Sequence, residues 1–94
     1  MKADLILRHK DITPEGDILE MTVWSLPEPL PPSGHSFKYS LVYIVDGKRV
    51  VGFDNERGKG DHCHLDGKER SYRFINIDQL VNDFIKQVDK RRKP

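Results

Sequence analysis

The chain has one cysteine, Cys63, in 94 residues. That excludes an internal disulfide and fits a reducing compartment. No apolar run reaches the roughly 18 residues of a membrane span, and no signal-peptide core follows Met1. The expectation is a soluble, cytoplasmic protein with no membrane partner. A large excess of one charge is also lacking. The net charge is +1, so attraction to nucleic acid must come from local patches. Neither GxxxxGK[ST] nor GxGxxG occurs, which leaves a nucleotide cofactor without support, and no cofactor is expected. Hydrophobic residues are few, at 36%, and charged ones many, at 33%. This composition suits one small domain over residues 1–94, with enough apolar surface for one sheet face and one helix.

What is present reads mostly as strands. Residues 3–9 (ADLILRH) form a short strand, and ITPEGD turns the chain. Residues 17–25 (DILEMTVWS) then alternate, with Leu19, Met21 and Val23 on one face. The two segments suit an antiparallel hairpin. LPEPLPPSGHS, residues 26–36, is proline-dense and therefore an extended surface loop. It is a stiff crossover between two parts of the sheet or an arm over a partner. FKYSLVYIV and KRVVGFD flank Asp46-Gly47, a strong hairpin signal. The implied pairs are Val45 with Lys48, Tyr43 with Val50 and Leu41 with Gly52. Both faces of this hairpin are largely apolar, so it belongs at the centre of the sheet.

Asp66-Gly67 predicts a second hairpin, pairing Leu65 with Lys68, His64 with Glu69, Cys63 with Arg70 and His62 with Ser71. Ile77, Leu80, Val81, Phe84, Ile85 and Val88 then fall at helical spacing. Asn76 is a good N-cap, Gln79 would complete a capping box, and Ile75 would staple onto Leu80. The KRRK tail at 90–93 reads as a solvated helix end. The predicted fold is α+β: a mostly antiparallel five- or six-stranded sheet of hairpins, with one C-terminal helix on a face.

Chemistry concentrates in DNERGKGDHCH, residues 54–64. Alternation places Cys63 and Leu65 on one face, with Tyr72 and Phe74. His62, His64, Glu69, Ser71 and Arg73 share the other. Several readings stay open. His-x-His with Asp54, Asp61 or Cys63 resembles a metal site, but Cys63 points away and His9 and His35 stand alone as surface residues. No metal is expected. ERGKG offers glycines at 58 and 60 for close approach to an anion, with Arg57 and Lys59 to neutralise it, and Arg49 and Arg73 as further cations. A histidine pair, or histidine with Glu69, supplies the groups for metal-free RNA transesterification. One would deprotonate the 2′-hydroxyl and the other would protonate the leaving oxygen. The bland reading is a solvated turn, with Asn55 and the glycines at positive φ.

VDGKRVVGFDNERGKGDHCH, with MTVWSLPEPLPPSGHSFKYSL upstream and YRF before the helix, resembles the TumE family over about residues 3–89. GFDNERGKGDH falls on 52–62 and YRF on 72–74, and His64 fits the family's His-x-His ending. The resemblance implies a toxin of a type II toxin–antitoxin pair, neutralised by a helix-turn-helix antitoxin. RelE-type ribonuclease toxins open with helices. This chain opens with strands, so their active site is not carried over. The leading expectation is a metal-independent endoribonuclease with His62, His64 and Glu69 as catalytic groups. Arg57, Lys59, Arg73 and Arg49 would hold phosphate, and Asp54, Asn55, Gly58, Gly60 and Asp61 would support the site. The alternative is a non-catalytic module that binds RNA or the antitoxin through the same face.

Overall fold

A computed structural model describes residues 3–92. Six strands run in chain order across one antiparallel sheet: β1 (Asp4–Ile12), β2 (Ile18–Ser25), β3 (Phe37–Val45), β4 (Lys48–Glu56), β5 (Gly60–Leu65) and β6 (Lys68–Ser71). One helix, α1 (Ile77–Arg91), closes the chain. The expected α+β architecture is the one found. Strand β1 runs three residues past the expected 3–9, and it is almost wholly exposed along one edge.

Period-2 alternation builds the core. Leu19, Met21, Val23, Tyr39, Leu41, Tyr43, Val51, Phe53 and Cys63 face one side, and Leu80, Phe84 and Val88 of α1 close over them. The Asp-Gly turns form as expected, with Asp46 at φ 52° and Asp66 at φ 53°.

The β3–β4 register differs from the expected one. Val45 pairs with Lys48 as foreseen, but Tyr43 pairs with Val51 and Leu41 with Phe53, across a register shift that leaves Val50 as the extra residue. A regular ladder would have put Val51 and Phe53 on the open face. The bulge moves both under α1, where Val51 is fully buried and Phe53 nearly so. Burying side chains of this size stabilises by about 1.5–3 kcal/mol each. The Val50 carbonyl then accepts a hydrogen bond from Asp66 N–H. Strands β3 and β4 are central, yet α1 lies on one face only, so the largely apolar second face did not require a second layer.

The β5–β6 register is the expected one. At the helix start, Asn76 accepts from Gln79 N–H at 2.8 Å. The Gln79 side chain turns forward to Asp83 instead of closing a capping box. Ile75, expected to staple onto Leu80, is 64% exposed. The basic tail is tied back: Arg91 donates to both Asp66 carboxylate oxygens, and the Arg92 guanidinium sits over the Tyr43 ring. Residue 93 of that tail lies outside the described residues.

Candidate functional site

Adjacent strand residues point to opposite faces, and the β4–β5 ladder decides which residue goes where. Phe53 faces Cys63 beneath α1, while Asp54 faces His62 and Gly52 faces His64 on the open face. The β5–β6 ladder adds Ser71 beside His62 and Glu69 beside His64.

His62 is buried, at 4% exposure. Its Nδ1–H donates to the Gly60 carbonyl at 3.0 Å. In the neutral ring that bond leaves the lone pair on Nε2. Nε2 touches Asp54 Oδ1. The contact lacks hydrogen-bond geometry, so two buried polar atoms remain without a hydrogen-bond partner. His64 stands next to this pair, its ring edge-to-face with His62 at a centroid distance of 5.1 Å. Its Nε2 is 3.4 Å from Glu69 Oε1, and that same oxygen is 3.8 Å from His62 Nε2. Partial burial, and then the nearby Arg49 charge, hold the His64 pKa below its ordinary value. Asp54, His62 and His64 each offer a donor atom, and the three atoms lie within 4.8 Å of one another.

Two cations border the cluster. Lys59 pairs with Glu69, which holds the Glu69 carboxyl below the usual carboxylate range and lifts Lys59 above its own. Arg49 lies over Gly52, where a Cβ would sit 2.9 Å from Arg49 Cδ. The missing side chain makes room for the guanidinium beside His64.

The structure does not gather every expected residue here. Asn55 and Asp61 point to the helix-covered face. Asn55 is fully buried and extended, not at positive φ in a turn. It accepts from Tyr39 N–H and donates to the Phe37 carbonyl and to Ser33 Oγ. Asp61 accepts from Ser33 Oγ, His35 Nε2 and Tyr39 Oη. Burial, and then the bond to Asp61, push the Tyr39 hydroxyl far above its ordinary pKa, so it remains a donor.

The glycine turn is also occupied internally. Gly58 N–H donates to the Pro31 carbonyl and Lys59 N–H to the Glu56 carbonyl, so these amides do not form an anion cradle. Gly60 sits under Pro32, which a Cβ would meet at 3.0 Å. Arg57 is exposed in this turn. Arg73 lies past the end of β6, beyond the pairing that would place it opposite β5.

Sequence reasoning missed Ser33 and His35. The proline-dense loop is no crossover, because Ser25 and Phe37 are paired neighbours. It folds back and brings His35 against Phe74 at 3.8 Å, with Nε2 on Asp61. No local signal announces that docking. Cys63 is a buried thiol whose pKa burial raises, on the face away from the histidines.

Two concavities lie elsewhere. One of about 440 Å³ is lined by Thr13, Asp17, Tyr43 and Arg92, and another of about 580 Å³ by Ile6, Met21, Ile77 and Val81. The histidine cluster stands on an open sheet face, which suits a polymer more than an enclosed small molecule. No described helix is long and apolar enough to cross a membrane.

Among known proteins, no curated protein and no solved structure matches. A family model does: the model described as Toxin TumE matches residues 2–92, and the chain belongs to the TumE toxin family.

Proposed function

We propose that this toxin acts on RNA as a metal-independent endoribonuclease, with the open face of β4–β6 as its working surface. The observation that carries this reading is the convergence of His64, Glu69, Lys59 and Arg49 on that face. His64 is the proton acceptor for the ribose 2′-hydroxyl. The freed 2′-oxygen attacks phosphorus, the bond to the 5′-oxygen breaks, and that oxygen leaves with a proton from solvent. Glu69 steadies the imidazolium that forms, and Arg49 and Lys59 face the charge growing on the phosphate. His62 is too buried to meet RNA directly. It packs against Asp54 and the His64 ring on the same face and positions them. Membership in a toxin family supports a protein antitoxin as partner, and the reading takes it to be a helix-turn-helix protein that meets the toxin in the cytoplasm.

The test is cleavage of total RNA by the purified protein and by His64→Ala, each with EDTA. Cutting by the wild type alone, undiminished by EDTA, is expected. A folded wild type that binds RNA and leaves it intact would replace this reading with a non-catalytic binding module.

A further inference from the structure

We infer that Asp54, His62 and His64 form a binding site for a single divalent transition-metal ion, which competes with the RNA reaction.

The His62 Nδ1–H is committed to the Gly60 carbonyl, which, in the neutral ring, points the Nε2 lone pair at Asp54 Oδ1. With the ring neutral, two acceptor atoms face each other in a buried place, and neither has a hydrogen bond. Buried polar groups seldom remain so unless something else completes them. A cation bridging both atoms satisfies both at once. An imidazole held through Nδ1–H on a backbone carbonyl is the usual arrangement of a ligating histidine.

His64 supplies a third donor atom from the same face, within 4.8 Å of the other two. Tetrahedral ligands about 2.1 Å from an ion lie about 3.4 Å apart, so His62 Nε2 and Asp54 Oδ1, now in contact, would part slightly to admit the ion while His64 moves in. Glu69 Oε1 lies near both Nε2 atoms but is paired with Lys59, and it could serve as a fourth ligand only by leaving that partner. Two imidazoles with carboxylate select zinc, nickel or cobalt over magnesium, which prefers oxygen alone. Cys63 faces the other side of the sheet and takes no part.

Binding stands without any reading of function. Its consequence rests on the proposed nuclease: an occupied site removes His64 from proton transfer, so the ion inhibits.

The test is calorimetric titration of the intact protein with Zn²⁺, Co²⁺ and Mg²⁺, together with the visible spectrum of the Co²⁺ form. One Zn²⁺ per chain is expected, with no Mg²⁺ binding. The Co²⁺ bands should be those of nitrogen and oxygen ligands, without a thiolate charge-transfer band. His64→Gln and Asp54→Asn should each weaken Zn²⁺ by on the order of 10–100-fold or more, while His9→Gln leaves binding unchanged. Two ligand variants are used so that a folding defect in one leaves the other informative. Absent binding by folded protein, or binding that both ligand variants retain, would overturn the inference. RNA cleavage measured alongside separates the two proposals. Cutting in EDTA without Zn²⁺ binding defeats the metal site alone. Zn²⁺ binding by a protein that never cuts RNA defeats the nuclease alone. Cutting that requires the ion overturns the inhibitory role.

Discussion

Strand β5 sends Asp61 to one face of the sheet and His62 and His64 to the other, and the two faces treat their polar groups differently. Under the helix side, Asp61 accepts three hydrogen bonds, and buried Asn55 makes three more. There His35 takes a proton-defined role, accepting from Phe37 N–H at Nδ1 and donating to Asp61 at Nε2. On the open side, His62 Nε2 and Asp54 Oδ1 touch without hydrogen-bond geometry, and the His64 ring faces Glu69 only in an ion-pair contact at 3.4 Å. A satisfied network is what a fold needs to fix a loop. Unsatisfied, convergent groups are what a ligand or a reaction needs. The same residue types therefore have different meanings on the two faces, and histidine count alone would not have separated His35 from His64.

The comparison predicts that the two faces fail differently. The largest effect belongs to His64→Ala, which should lower RNA cleavage on the order of 10²–10⁴-fold. Its stability in urea should stay within about 0.5 kcal/mol of wild type. Asn55→Ala should do the reverse. It leaves Tyr39 N–H and the Phe37 carbonyl buried without their partner, and should cost about 3 kcal/mol in urea denaturation. Residual cleavage by whatever fraction stays folded should be normal per molecule. A milder cut in the same network, Tyr39→Phe, removes only the hydroxyl on Asp61 and should cost about 1 kcal/mol. The smallest expected change is in Lys59→Ala. RNA affinity should fall modestly, and the slope of log affinity against log salt should flatten by about one unit. Equal stability losses from His64→Ala and Asn55→Ala would erase the distinction between the faces.

Much of this was legible in the sequence where chemistry is local. Asp66-Gly67 fixed the β5–β6 register, and with it the placement of His62, His64 and Glu69 on one face. Leu19, Met21 and Val23 showed their buried face by alternation, and Asn76 showed the helix start. The bulge at Val50 was not legible. Its advantage appears only when α1 covers Val51 and Phe53, which is a tertiary gain that a two-strand reading does not see. Asn55 misled for a related reason. In sequence it sits three positions from Gly58 in a polar run and reads as a turn residue, but β4 continues through Glu56 and the turn shrinks to three residues. Ser33 and His35 reach Asp61 from a loop 26 to 28 positions earlier in the chain. Only the folded path of that loop shows the contact.

The role of His64 is decided by the rate at which purified wild type and His64→Ala cleave RNA in EDTA, measured on samples with matched thermal midpoints. Wild type should cleave, and the variant should lose at least about 100-fold in rate. Equal rates, or intact RNA with both proteins folded, would contradict that role.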